Sequence, residues 1–133
     1  MSLRPVRHIS IAIARPADEV YAFLAAPENF PKWASGLGRS FQPLEGGEWL
    51  AETPMGRLRL RFSSRNPWGV VDHWVLPAEG EAIYNPMRVV ANGDGAEVVF
   101  SLFVRAGMSD DEVTRDADWI GRDLAALKRL LEA

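Results

Sequence analysis

The sequence predicts an α+β fold, and three observations carry that prediction. An alternating apolar segment occupies residues 8–14, a run of short alternating segments broken by glycine, proline and asparagine fills residues 36–107, and one amphipathic helix spans residues 109–132. Strands gathered in a single stretch and followed by a helix pack as separate layers, whereas α/β proteins interleave the two. A chain of 133 residues, 47% of them apolar, is expected to form one domain over residues 1–133 with an ordinary core.

The elements follow in order. In residues 8–14, Ile9, Ile11 and Ile13 share one face, while His8 and Ser10 share the other, as a strand with one apolar side requires. Arg15 and Pro16 end that alternation. Proline suits a first helical turn, Asp18 and Glu19 complement the helix dipole, and Val20, Phe23 and Leu24 fall at helical spacing until Pro27 stops the helix. A second short helix is expected over residues 28–33, interrupted or started by Pro31.

Strands are then expected near residues 39–44, 48–53, 57–62, 70–76, 81–91 and 96–105. Turns at Gly46-Gly47, Pro54-Met55-Gly56, Asn66-Pro67-Trp68-Gly69 and residues 77–80 separate them. Asn92-Gly93-Asp94-Gly95 is the strongest hairpin signal, because asparagine and glycine tolerate positive φ. In the final segment Ser109-Asp-Asp-Glu112 forms a capping box, and Val113, Ala117, Ile120, Leu124, Leu127 and Leu131 make one continuous stripe. Arg115, Asp116, Arg122, Asp123, Lys128 and Arg129 are expected mostly on the other faces. A sheet covered by a single such helix must curl around it to hide its apolar side.

Composition removes several chemistries. The absence of cysteine excludes disulfides, thiolate nucleophiles and cysteine-bound metals. His8 and His73 match no metal-ligand spacing, so neither metal nor cofactor is expected. A net charge of −3 argues against nucleic acid as a partner. No apolar run approaches the ~18 residues of a membrane span, and the first residues lack a signal-peptide pattern. Met1, Ser2 and Leu3 are given no role, and the expected location is cytoplasmic.

Four segments together resemble a known family: Ile11-Ala-Ile-Ala-Arg-Pro-Ala-Asp-Glu-Val-Tyr-Ala-Phe23, Pro27-Glu-Asn-Phe-Pro-Lys-Trp33, Gly107-Met-Ser-Asp-Asp-Glu112 and Trp119-Ile-Gly-Arg-Asp-Leu-Ala-Ala-Leu-Lys-Arg-Leu-Leu131. They are similar to the helix-grip fold of the START-like (SRPBCC), Bet v 1-like superfamily, in its bacterial polyketide cyclase/dehydrase-like branch. The resemblance covers nearly the whole chain. It implies a curved antiparallel sheet of about six to seven strands around the C-terminal helix, two short helices after the first strand, and a hydrophobic cavity between sheet and helix. Members of the superfamily bind lipids, hormones and polyketides, transfer ligands or act as cochaperones, so the resemblance fixes no substrate.

Alternation tells which side chains face that cavity. Arg57, Arg59 and Arg61 belong in water, which turns Leu58, Leu60 and Phe62 inward. Arg88 places Ile83, Asn85, Met87 and Val89 inside, and Glu97 and Arg105 do the same for Val98, Phe100, Leu102 and Val104. Trp49, opposite Glu48 and Glu52, is also expected inside. The expected ligand contacts are Ile11, Trp49, Leu60, Phe62, His73, Asn85, Met87, Phe100, Leu102 and Ile120, and for most of these inward positions plain core is the simpler reading.

Asn85 reads as a polar anchor for a ligand or as a structural hydrogen bond beside Pro86, which cannot donate to a ladder. Asp72 and His73 are adjacent on a strand, so only one can enter the cavity and the other is expected at the surface; their apolar neighbours do not decide which. A cavity-facing His73 is the candidate catalytic acid–base group; its alternative is a satisfied core or rim histidine. The arginine stripe reads as a solvated face or as a contact for an anionic surface. Trp33, Trp49 and Trp119 are expected where the small helices meet the long one, and Trp68 is expected as a lip at the cavity mouth.

Three functions follow: binding of a small hydrophobic or aromatic ligand; a cyclase- or dehydratase-like enzyme using His73; or a module that meets a protein or membrane through Trp68 and the arginines. The oligomeric state is open. On the long helix, residues 113–120 are expected to roof the cavity and residues 124–131 to pack as solid core.

Overall fold

Eight strands and three α-helices follow one another in a computed structural model that describes residues 2–37, 40–54 and 56–133. The expected strand start at Arg39 and the turn position of Met55 lie outside the described residues, as do Met1 and Gly38. Strand β1 (Val6–Ile13) leads into α1 (Ala17–Ala25), a 3-10 turn (Pro27–Asn29) and α2 (Phe30–Trp33). Strands β2 (Ser40–Pro43), β3 (Glu48–Thr53), β4 (Gly56–Phe62), β5 (His73–Leu76), β6 (Ile83–Asn85), β7 (Met87–Asn92) and β8 (Gly95–Phe103) precede α3 (Asp110–Glu132).

All pairings are antiparallel. One ladder runs β2-β3-β4-β5-β6 and the other β1-β8-β7. The long strand expected over residues 81–91 is therefore two strands: Pro86 has no N–H to give, and the chain changes partner across it. Before it β6 pairs with β5, and after it β7 pairs with β8. The seam is closed by Ser101 N–H donating to the Pro86 carbonyl at 3.0 Å and Val71 N–H donating to that of Met87 at 3.1 Å. For the same reason the strand expected from residue 70 begins only at His73, since Val70 makes an isolated bridge to Arg88 on β7. Gly69 sits at this crossing with φ 72°, and a Cβ there would lie 2.2 Å from the Val89 carbonyl oxygen.

Helix α3 closes the structure. Glu112 N–H donates to Ser109 Oγ at 3.1 Å and Ser109 N–H to Glu112 Oε1 at 3.3 Å, the reciprocal capping box that the sequence predicts. Val113, Leu124 and Leu127 of the apolar stripe are buried, and Ala117, Ile120 and Leu131 are partly buried against the same core. Burying one such aliphatic side chain is worth ~1.5–3 kcal/mol. The far end of α3 is pinned to β1, with Lys128 Nζ donating to the Ala12 carbonyl at 2.7 Å and Glu132 Oε2 accepting from Ala14 N–H at 2.8 Å.

Asp72 and His73 are both buried, at 6% and 5% exposure, so the expectation that one of them is a surface residue fails. They do point to opposite sides, but the side holding Asp72 is covered. Its carboxylate accepts from Met87 N–H at 2.9 Å, from Tyr84 Oη at 2.7 Å and from the Arg88 guanidinium. This cluster bolts β5, β6 and β7 together at the Pro86 junction. Burial first, then the neighbouring Asp72 carboxylate, pushes the Tyr84 hydroxyl pKa up.

Outside the sheet, Arg59 pairs with Glu48 at 3.0 Å, Arg57 with Glu52 at 3.5 Å, and the Arg61 guanidinium sits 5.0 Å from the centre of the Trp74 ring. These local partners fit the solvated-face reading of the arginine stripe.

Candidate functional site

A cavity of about 270 Å³ lies between α2 with the loop after it, the inner faces of β4, β5, β6 and β8, and the middle of α3. Strand register explains its floor. Leu60 stands opposite Val75, Val75 opposite Ile83, and His73 opposite Asn85, so these side chains fall in rows on one face. Phe100 and Leu102 of β8 continue the wall, and Phe30 and Trp33 of α2 close one end.

Two polar side chains sit in that wall. Asn85 Nδ2 lies 3.1 Å from His73 Nε2. In this orientation of the Asn85 amide its nitrogen donates, so Nε2 accepts and the neutral ring carries its proton on Nδ1. The ring is held among aromatics, with centroids 4.9 Å from Phe30, 6.1 Å from Phe62 and 6.2 Å from Phe100. Burial lowers the His73 pKa from 6.5 to about 4, against a weaker opposing pull from Asp72, so the ring is neutral at neutral pH.

The rim is polar. Ser35 donates through Oγ to Asp123 Oδ1 at 2.7 Å and through its N–H to Oδ2 at 3.2 Å, which ties the loop after α2 to α3. Burial raises the Asp123 pKa, and its bonds with Ser35 and the nearby Arg122 work in the opposite direction. Gly36, at φ 85°, lets the loop pass over Trp119, because a Cβ there would come within 2.9 Å of the indole. Arg105, Asp116 and Trp119 complete the rim.

Of the residues that the sequence singles out, Leu60, His73, Asn85, Phe100, Leu102 and Ile120 border this cavity. The other four sit elsewhere. Trp49 stacks on Phe41 at 4.9 Å, Phe62 packs edge-on to Phe30 at 5.2 Å, Met87 is buried at 1% exposure, and Ile11 lies against the core. Trp49 is therefore a sheet residue and not part of the helix junction expected for it.

Trp68 is 76% exposed, in a turn whose neighbours Asn66, Pro67 and Gly69 line a different hollow beside Ala17 and Tyr21. It is no lip to the cavity; Trp119, 45% exposed, holds that position. The helix residues at the cavity are Asp116, Trp119, Ile120 and Asp123, which shifts the roof from the expected residues 113–120 toward the middle of α3. Asp116 and Asp123, expected on the other faces of the helix, are among them. The contributions of α2 and its loop carried no sequence signal beyond the aromatic pair Phe30 and Trp33.

A family described as polyketide cyclase / dehydrase and lipid transport matches residues 8–132. No curated protein matches the chain. Among solved structures, an uncharacterized protein from Bacillus thuringiensis is similar at 17% identity and a TM-score of 0.74, over 95% of this chain and 98% of its own. The Aha1 dimer from Colwellia psychrerythraea gives 15% and 0.74 over 96% of both chains. Ara h 8.0201 gives 13% and 0.68 over 95% of this chain and 96% of its own. At these identities the likeness shows a shared fold. No helix among the described residues is long and apolar enough to cross a membrane.

Proposed function

We propose that this chain, which belongs to the polyketide cyclase / dehydrase and lipid transport family, binds one small, largely apolar molecule in the cavity between sheet and α3. The observation that carries the proposal is the unfilled space. Protein interiors close to crystal-like density wherever side chains reach, yet about 270 Å³ stays open among Leu58, Leu60, Val75, Phe100, Leu102 and Ile120. That volume is just under the ~300–1,000 Å³ of typical ligand pockets, so the ligand belongs at the small end, one or two rings in size. The ligand contacts proposed are Leu60, His73, Asn85, Phe100, Leu102 and Ile120.

Native mass spectrometry after exposure to a panel of one- and two-ring compounds, paired with thermal unfolding, tests this. A bound mass and a raised melting temperature are expected, both lost in Ile120→Asp. A panel that leaves mass and melting temperature unchanged overturns the proposal.

One observation favours a second reading, an enzyme of the cyclase or dehydratase kind: His73 borders the cavity. Its chemistry weighs the other way. A general base works best with a pKa near the operating pH, whereas His73 sits at about 4 with Nε2 already engaged by Asn85. Among the described residues its one side-chain hydrogen bond is to that amide, with no carboxylate to orient the ring. Turnover of a bound compound that disappears in His73→Phe while binding persists would favour the enzyme.

A further inference from the structure

We infer that the cavity selects an uncharged ligand bearing a hydrogen-bond acceptor, such as a ketone, aldehyde or ether oxygen, which accepts from Nδ1–H of His73. The inference rests on the binding proposal above and narrows it to a chemical class.

Its root is the tautomer. Asn85 Nδ2 donates to His73 Nε2 across the β5–β6 pair, so the proton of the neutral ring stands on Nδ1. That N–H has no partner: the bond to Asn85 is the one side-chain hydrogen bond that His73 makes among the described residues. Every fully buried side-chain nitrogen or oxygen among those residues does have a partner. Nδ1 therefore keeps open space beside it, and the open space that His73 borders is the cavity.

The ring cannot swing away to hide the donor, because Phe30, Phe62 and Phe100 surround it. A mainly apolar chamber with the His73 N–H fixed in its wall, beside the Asn85 amide, rewards an oxygen that reaches that N–H. It offers no compensation to a ligand that must shed the hydration of a full charge. The rim carboxylates Asp116 and Asp123 and the rim guanidinium Arg105 lie on the polar edge, so a charged group has partners only outside the floor.

A matched two-ring series tests the class: tetralin, 1-tetralone, 1-aminotetralin and tetralin-1-carboxylic acid, each titrated by calorimetry against the whole chain at neutral pH. The ketone is expected to bind about five- to tenfold tighter than the hydrocarbon, the increment of one added hydrogen bond. Amine and carboxylate are expected to bind more weakly than the ketone. In His73→Phe the ratio of ketone to hydrocarbon affinity should fall to about one, and in Asn85→Leu, which frees the tautomer, that ratio should shrink. Ring ¹⁵N shifts of the wild-type protein need no variant and should show Nδ1 protonated and Nε2 bare.

Equal affinity for ketone and hydrocarbon, a gap that survives His73→Phe, a tightest-binding amine or acid, or a proton found on Nε2 each overturns the inference and leaves the cavity as a binding site. Failure of the whole series to bind overturns the binding proposal and the inference with it.

Discussion

Replacing Asp72 with alanine tests the junction on which the site depends. Three donors converge on this carboxylate, and each loses something different. Met87 N–H, bonded at 2.9 Å to a carboxylate that is itself buried, would be left without an acceptor; an orphaned buried amide costs ~1–3 kcal/mol. Tyr84 is 40% exposed and its hydroxyl can turn to water, so its bond contributes ~1 kcal/mol or less. The Arg88 side chain is 42% exposed, so solvent screening holds its ion pair to below ~1 kcal/mol. Together the loss is about 3 kcal/mol, dominated by the backbone amide. Urea unfolding at neutral pH measures it through the midpoint at constant slope. Tyr84→Phe should cost less than ~1 kcal/mol by the same assay. A loss under ~1 kcal/mol for Asp72→Ala, or an equal loss for the two variants, would show that the Met87 amide does not depend on this carboxylate.

Acid should destabilise the protein through His73. Its pKa is lowered in the fold, so its contribution is complete above 6.5 and is lost as pH falls toward about 4, a total of about 3 kcal/mol at ~1.4 kcal/mol per pH unit. Urea midpoints over that window should fall more steeply for wild type than for His73→Phe, and parallel slopes would refute it. Leu127, at 0% exposure, should cost ~2–5 kcal/mol when cut to alanine. Ile120→Asp should chiefly abolish ligand binding, and if both variants merely unfold the protein by circular dichroism, the division of α3 is wrong. Gly69→Ala should lose ~1–3 kcal/mol in thermal unfolding, because a Cβ would collide with the Val89 carbonyl and the residue holds positive φ; a near-neutral result would mean the β7 crossing can shift.

The sequence was most informative where one residue type had one physical use. Ser109 and Glu112 mark the start of α3 because only a helix end leaves the amides they satisfy. The hairpin at Asn92 and Gly95 was legible because Gly93 takes φ 58° in its turn. Arg57, Arg59 and Arg61 gave the direction of β4 and hence the inward rows through Leu58 and Leu60. Pro86 marked trouble in a strand, but only the pairing of each half shows that the chain changes ladders there. The fate of Asp72 and His73 was hidden for a related reason: apolar residues flank them on both faces. The missing information was register. Phe62 pairs with His73 and Arg61 with Trp74, so the outward arginine carries Trp74 outward and turns His73 in.

The position of the cavity along α3 shows what a hydrophobic stripe can and cannot specify. The stripe runs unbroken from Val113 to Leu131, so periodicity alone does not tell where along it the cavity opens. Its buried members are Val113 at one end and Leu124 and Leu127 toward the other. Between them the helix turns Asp116, Trp119, Ile120 and Asp123 toward the open space. Two of those four are carboxylates that belong at a wet rim, Asp123 being held there by Ser35. Neither can be pushed inward to fill the floor without losing water or that partner. Periodicity identified the stripe, but acidic residues beside it read as the solvent side. Which carboxylates border a cavity depends on how α3 sits over the curl of the sheet, and its tethers to β1 at Lys128 and Glu132 and to the loop after α2 at Asp123 hold it there.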